Sequence, residues 1–106
     1  MSKSSITTAN PDWLHNPHAG ELLAQEFMEP LGLTAEALSA PLGVEPARLE
    51  AVIAGRVRIE ADLDLRLGRY FRMSEGFFLR LQDQYELLEA KRALNGDLDR
   101  IVPRAA

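Results

Sequence analysis

Apolar residues along this chain recur at intervals of three and four, the spacing that places them on one face of an α-helix. Within residues 31–55, two short segments with this spacing flank Gly43, the first after Thr34 and the second from Pro46 to Ala54. Thr34 is expected to cap the first of these helices, and Gly43 to form the turn. Two short helices joined by a glycine turn form a helix-turn-helix, a unit that usually holds its second helix against DNA.

The helix before this unit is predicted to begin with Asn16 as its N-cap and Pro17 as its first residue, because proline needs no N–H donor there. Pro30 and Gly32 are expected to end it. Pro41 should keep the next helix short or distort its end, because an interior proline removes a hydrogen bond.

The same spacing predicts which side of each helix-turn-helix segment faces the core. The residues of the first segment predicted to point inward are Ala37 and Leu38. Those of the second segment are Leu49, Val52 and Ile53. The residues left on or beside its outward face are Ala47, Arg48, Glu50 and Ala51.

Two longer helices are predicted after the helix-turn-helix. The fourth has Asp62 in its first turn, where the helix dipole favours a negative charge. The fifth is predicted to begin with Ser74 as its cap and to end at Asn95-Gly96. Its apolar stripe consists of Phe77, Phe78, Leu81, Tyr85 and Leu88. No segment has a strand pattern, so the expected fold class is all-α, a compact bundle of five helices.

The fifth helix is predicted to be longer than the core that the other four can enclose. A helix of 20 residues is about 30 Å long. The outer half of the fifth helix is therefore expected to contact another copy of the chain. The residues predicted for this dimer contact are Phe78, Leu81, Gln82, Tyr85 and Leu88.

Composition and charge narrow the possible functions. The chain has 106 residues, of which 46% are hydrophobic and 26% charged, and this suits one globular domain. It lacks cysteine, which excludes disulfides and thiolate metal sites. Neither a membrane span nor the apolar core of a signal peptide is evident, so the cytoplasm is the expected location. The net charge of -4 argues against indiscriminate nucleic-acid binding, and any DNA contact must come from a local basic patch.

Catalytic and metal chemistry find little support in the sequence. The two histidines, His15 and His18, are separated by Asn16 and Pro17, and no third ligand accompanies them. There is no phosphate-binding glycine loop, and the carboxylates are spread over helix surfaces. The chain is therefore expected to be no enzyme and to hold neither a metal nor a cofactor.

A set of motifs runs in order from His18 to Leu87, over about two-thirds of the chain: HAGELLAQEFMEPLGL, LGV, the glycine at Gly55, ADLDLRLGRYF and SEGFFLRLQDQYEL. Together they resemble the HigA-type, or VapI-like, antitoxins of the XRE helix-turn-helix superfamily. The resemblance implies a lambda-repressor-like fold that dimerises, binds operator DNA in its own promoter and neutralises a HigB-like ribonuclease toxin. The expected organisation is a flexible leader over residues 1–15, a helix-turn-helix domain over 16–95 and a tail over 96–106.

The resemblance also indicates where such a protein would contact DNA. The residues concerned are Thr34, Ala47, Arg48, Glu50, Ala51, Arg56 and Arg58. Between Thr34 and Glu60 the chain has three arginines and four glutamates, so this surface carries no net positive charge. Phosphate contacts are therefore expected to depend mainly on the three arginines.

Several charged residues raise questions of packing. Asp64 and Arg72 stand where the family has alanine and glycine. A buried Asp64 would need a partner, and either an arginine partner or a position facing water is expected. Arg72 lies at a helix end where a positive φ is common. Glu21 and Arg66 are expected to form an ion pair between the first and fourth helices.

Two functional classes remain open from the sequence. The first is a dimeric, DNA-binding repressor and antitoxin that reads a palindrome with half-sites about one helical turn apart. The second is a protein-interaction module that keeps the helix-turn-helix scaffold while its recognition helix has become acidic, at Glu45, Glu50 and Glu60. Salt dependence and the substitutions Arg48→Ala and Arg58→Ala discriminate between them. The toxin-binding surface is left open among the leader with Trp13, the first helix and the tail.

Overall fold

The computed structural model describes residues 15–105, which form helices joined by short turns. Helix α1 spans Ala19–Leu22 and continues as a π-helical segment, Leu23–Met28, and a 3-10 turn, Glu29–Leu31. The other elements are α2 (Ala35–Leu42), α3 (Pro46–Ile53), α4 (Ala61–Phe71), α5 (Phe77–Leu94) and a 3-10 turn, Asp97–Arg100. Residues 15–105 contain no strand, and the predicted all-α fold of five helices is confirmed. The leader as far as Trp13 lies outside the described residues.

The first helix begins later than predicted. Its N-cap is His18, whose Nδ1 accepts a hydrogen bond from the Glu21 N–H at 3.2 Å, and not Asn16. The Asn16 side chain instead donates to the Tyr85 carbonyl oxygen at 3.0 Å and to the Glu89 carboxylate at 3.1 Å. Asn16 therefore ties the segment before α1 to α5, a long-range contact that local capping preference does not reveal.

The core is formed by one face of each helix. Phe27 packs against Phe71, Phe77 and Phe78 with ring centroids 5.3, 5.9 and 5.1 Å apart, in the tilted and edge-to-face arrangements that aromatic pairs prefer. The largest side chains that are fully buried are Leu23, Leu38, Leu49, Val52, Ile59, Leu63, Asp64, Leu67 and Phe78. The aromatic cluster thus joins the end of α1 to the junction of α4 and α5.

Helix α2 has the predicted turn but not the predicted inward face. Leu38 is buried as expected, whereas Ala37 is exposed and Leu42, one turn after Leu38, lies in the core. Pro41 lies within this short helix, as expected. The helix ends at Gly43 with φ 70°, in the left-handed region that glycine adopts without penalty. The predicted glycine turn is therefore confirmed.

A buried carboxylate fixes the start of α5. The helix is capped by Gly76, not by Ser74 as predicted. The Asp64 carboxylate of α4, only 1% exposed, accepts hydrogen bonds from the N–H groups of Gly76 at 2.6 Å, Phe78 at 2.8 Å and Leu79 at 3.1 Å. Both expectations for Asp64, an arginine partner or a position facing water, are wrong. The free N–H groups at the beginning of α5 balance its charge instead.

The predicted ion pair between Glu21 and Arg66 is also absent. Glu21 contacts the His15 Nε2 at 2.9 Å and accepts from the Gln25 amide at 3.4 Å. Arg66 donates to the Leu42 carbonyl oxygen at 2.7 Å. The last carbonyl groups of a helix have no intrahelical partner and attract a cation, and this contact draws Arg66 to the end of α2.

Arg72 ends α4 in the left-handed region, with φ 62°. A residue with a side chain costs about 1–2 kcal/mol in this conformation. Glycine avoids this cost, but it loses more backbone entropy on folding, which offsets part of the gain. We expect Arg72→Gly to raise the free energy of unfolding by about 0.5–1 kcal/mol in urea titrations followed by circular dichroism. Arg69→Gly, in the last turn of the same helix, is the control and should destabilise the protein. A loss of stability in Arg72→Gly would contradict this account.

Candidate DNA-binding surface

The segments α2 and α3, with the turn at Gly43 between them, form the predicted helix-turn-helix. Thr34 caps α2, and its Oγ1 accepts a hydrogen bond from the Ala37 N–H at 3.0 Å. Leu49 and Val52 bury the inner side of α3. On its outer side, Ala47 and Glu50 are exposed and Arg48 and Ala51 are half-buried. The exposed Thr34 hydroxyl, besides capping α2, retains the capacity to donate to a phosphate oxygen.

Helix α1 packs closely behind α3 at Gly20. A Cβ atom at this position would overlap the Val52 carbonyl oxygen. Only glycine therefore allows the two backbones to approach this closely. This contact supports the outward-facing side of α3 from within the domain, and no local signal in the sequence indicated it.

Arg48 is held by the beginning of α4. Its Nη1 and Nη2 atoms each donate to a different Asp62 carboxylate oxygen at 2.8 Å. The Glu60 carboxylate lies 3.7 Å from Nη2. The pair of hydrogen bonds to one carboxylate is the strong, geometrically specific form of this interaction. A DNA phosphate would therefore have to compete with Asp62 for the Arg48 guanidinium.

Asp62 should report this pairing through its titration. The hydrogen bond from Arg48, followed by the positive charge of the same guanidinium, lowers the pKa of Asp62 from 3.8 to about 2. Because the pKa of Asp62 is lower in the folded than in the unfolded state, its ionised carboxylate stabilises the fold fully above pH 3.8. This stabilisation is lost as the pH falls towards 2. We expect the Asp62 side-chain carbon to titrate near pH 2 in NMR spectra, and at a higher pH in Arg48→Ala. Identical titration curves in the two proteins would show that the bridge is absent in solution.

Arg58 is paired in a similar way with α5. Its Nε donates to Glu86 Oε2 at 2.9 Å and its Nη2 donates to Glu86 Oε1 at 3.1 Å. The Asp83 carboxylate lies 3.8 Å from the same guanidinium. These contacts raise the pKa of Arg58, first through the hydrogen bond and then through the charge of Glu86. Two of the three arginines predicted to contact DNA thus have acidic partners in this chain.

The loop between α3 and α4 is positioned by a buried glutamine. The Ile59 N–H donates to Gln82 Oε1 at 2.6 Å, and Gln82 Nε2 donates to the Ile59 carbonyl oxygen at 2.9 Å. This double hydrogen bond orders the segment that carries Arg56 and Arg58. Arg56 is exposed and makes no ion pair with any residue from 15 to 105.

The predicted dimer contact needs correction at two of its five residues. Phe78 is fully buried and Gln82 is 5% exposed, so both belong to the core of the single chain. The helical repeat could not separate inward from outward positions here, because a polar glutamine lies on the buried face of α5. Leu81 and Tyr85 are half-buried, and Leu88 is 36% exposed. The contact predicted for these three remains a proposal.

Two further features of the described chain bear on function. Among residues 15–105, no cluster of three or more His, Asp or Glu side chains is placed to hold a metal ion. No helix between residues 15 and 105 combines the length and the hydrophobicity that a membrane span requires.

Comparison with curated proteins finds relatives that match two-thirds or more of this chain. Virulence-associated protein I of Dichelobacter nodosus is 39% identical over 75 residues, which are 71% of this chain and 69% of the relative. Antitoxin HigA-1 of Vibrio cholerae is 31% identical over 72 residues, 68% of each chain. No protein-family model matches the chain.

Solved structures share the fold. A Pseudomonas aeruginosa protein in complex with its 18-base-pair operator DNA has a TM-score of 0.79 and 32% identity, covering 87% of this chain and 98% of that one. The Pseudomonas aeruginosa antitoxin HigA with the higBA promoter has a TM-score of 0.76 and 29% identity, covering 87% of this chain and 100% of that one. With the helix-turn-helix geometry, these similarities show that the chain belongs to the HigA family of antitoxins, which includes the VapI-like proteins.

Proposed function

We propose that this protein is an antitoxin that also represses its own promoter by binding operator DNA as a dimer. The observation that carries the proposal is the outward side of α3, supported from behind at Gly20 and followed by a basic loop. Structural relatives bound to an operator and to a promoter support the proposal that the chain binds DNA. In a two-fold dimer, two copies of α3 would enter successive major grooves about one helical turn apart.

The proposed DNA-binding surface contains residues that contact bases and residues that contact the phosphate backbone of DNA. The residues proposed to reach base edges are Ala47, Glu50 and Ala51. A glutamate accepts a hydrogen bond from the cytosine amino group, and an alanine methyl group contacts the thymine methyl group. The residues proposed to contact phosphates are Thr34, Arg48, Arg56 and Arg58. Phosphate contacts position the protein, and base contacts give it sequence preference.

Membership of the HigA family implies pairing with a toxin. We propose that this toxin is a HigB-like ribonuclease, whose activity the antitoxin blocks by binding. We infer that the chain itself has no catalytic role, and that it acts in the cytoplasm, where bacterial operators are. The proposed organisation is a helix-turn-helix domain over residues 16–95, with a leader over 1–15 and a tail over 96–106. The leader, α1 and the tail remain the candidate surfaces for the toxin.

Operator binding is the direct test. We expect the purified protein to shift a labelled fragment of its own promoter, with an affinity that falls steeply with salt and exceeds that for an unrelated duplex. Arg56→Ala should weaken binding about tenfold and reduce the salt slope by about one, because Arg56 has no ion pair within residues 15–105. Arg104→Ala, an exposed arginine in the tail, is the control. Unchanged binding by Arg56→Ala would refute the proposed docking.

The pairing of Arg48 and Arg58 with acidic groups favours a second candidate function. A helix-turn-helix in which two of the three arginines are paired internally suits a protein-interaction module that binds a toxin without binding DNA. This alternative predicts no promoter binding even at low salt, where phosphate contacts are strongest. Toxin neutralisation in a co-expression assay would then persist in the absence of any mobility shift.

A further inference from the structure

The segment after α5 leaves apolar side chains uncovered. Leu98 is 49%, Ile101 67% and Val102 84% exposed. The acidic residues Asp97 and Asp99 flank Leu98, so an apolar residue is presented between two carboxylates. A segment with this pattern suits a groove that is apolar at its base and basic at its edge.

Such a groove of about 810 Å³ lies at the other end of α5, between the C-terminal ends of α2 and α4. Its lining includes Leu65 and Tyr70, which are 49% and 40% exposed. Arg69 and Arg72 also line it, and neither makes an ion pair with any residue in the described range. With three arginines against the single carboxylate of Glu75 in its lining, the groove complements the apolar and acidic pattern of the segment in both polarity and charge.

The segment cannot reach the groove of its own chain. Helix α5 has 18 residues and is about 27 Å long, and the groove residues Met73 and Glu75 precede its start. From Leu94 to Val102 the chain spans at most about 22 Å, with the 3-10 turn rising about 2 Å per residue and the rest extended. Residues 97–102 can therefore occupy this groove only in a second copy.

We propose that residues 97–102 of one copy dock in this groove of its partner, in a two-fold dimer whose α5 helices run antiparallel. Antiparallel pairing places the end of one α5 beside the start of the other, and two-fold symmetry forms the contact twice. Leu87, 60% exposed, and Leu94, 37% exposed, lie one above the other between the two ends and continue the apolar contact. The inference rests on the proposed dimeric function and names the surfaces that form the dimer.

The charges of the two surfaces define the register of docking. Asp97 and Asp99 approach Arg72 and Arg69, while Val102 lies over Leu65. The Asp97–Arg100 ion pair, at 3.6 Å between two exposed side chains, is readily exchanged for the partner's arginines. Arg72 thereby acquires a role at a position where its side chain costs stability.

Cysteine cross-linking tests the docking, because the chain contains no cysteine of its own. A tagged chain carrying Leu65→Cys is mixed with an untagged chain carrying Val102→Cys and oxidised under mild conditions. We expect a disulfide-linked heterodimer. Val57→Cys mixed with Val102→Cys is the control, because Val57 is 47% exposed and lies in the loop after α3. Equal cross-linking in the two mixtures would overturn the proposal.

Sedimentation measurements of the dimer dissociation constant distinguish a failure of this inference from a failure of the proposed function. The double variant Arg69→Ala, Arg72→Gly should raise the dimer dissociation constant at least about tenfold, while Arg92→Ala on α5 leaves it unchanged. A dimer that binds the operator but forms no groove cross-link would overturn the docking and leave the repressor intact. A cross-linked monomer of the chain carrying both Leu65→Cys and Val102→Cys would show that the segment reaches its own groove, which also overturns the proposal.

Discussion

Replacing Asp64 by alanine is expected to lower the free energy of unfolding by about 3–5 kcal/mol. The substitution removes a buried acceptor of three backbone N–H groups, and two of the donors, at Phe78 and Leu79, are in the first turn of α5. A buried donor without a partner costs about 1–3 kcal/mol, and the favourable charge at the helix N-terminus is lost as well. The α4–α5 junction should therefore loosen before the helix-turn-helix does.

Urea unfolding followed by circular dichroism measures this loss, and hydrogen exchange locates it. The amides of Gly76, Phe78 and Leu79 should lose protection first in Asp64→Ala. Asp64→Asn should have an intermediate effect, because the amide retains one acceptor oxygen. Asp83→Ala, an exposed aspartate on α5, is the matched control and should change stability little. A decrease below about 1 kcal/mol in Asp64→Ala would mean that water replaces the carboxylate.

The fold could be predicted from the sequence where local patterns decide the structure. The spacing of Leu49 and Val52 identified the inner side of α3, and Gly43 identified the turn, because both depend on residues a few positions apart. Asn16 and Ser74 were wrongly predicted as caps. Their capping capacity is real, but a contact with α5 engages Asn16, and the carboxylate of Asp64 takes the place of a cap at Ser74. Long-range hydrogen bonds of this kind leave no local pattern.

The sequence predicted which residues lie on the outward side of α3, but not the ion pairs of this surface. The acidic character of the surface was evident from the count of arginines and glutamates, and the exposed side of α3 carries the predicted residues. The partners of Arg48 and Arg58 are 14 and 28 positions away, too far for any helical spacing to connect. Only the packing of α4 and α5 beside the loop brings Asp62 and Glu86 to them.

Neutralising these two acids is expected to strengthen operator binding at least about tenfold in the double variant Asp62→Asn, Glu86→Gln. The substitutions release two guanidinium groups and remove two negative charges beside the DNA path. Arg48 and Arg58 should then bind phosphate without competition from Asp62 and Glu86, and the salt dependence of binding should steepen. Because both ion pairs are exposed to water, their loss should change the stability of the fold little.

Controls separate released arginines from a general change in charge. Glu26→Gln with Glu29→Gln removes the same two charges from exposed positions near the end of the first helix and should raise affinity much less. In an Arg48→Ala background the gain from Asp62→Asn should largely disappear, because no guanidinium is left to release. A loss of affinity in Asp62→Asn would instead mean that Asp62 orients Arg48 towards DNA. If the double variant still fails to bind the promoter at low salt, the acidic partners are not what prevents binding. That result would support the hypothesis of a protein-interaction module.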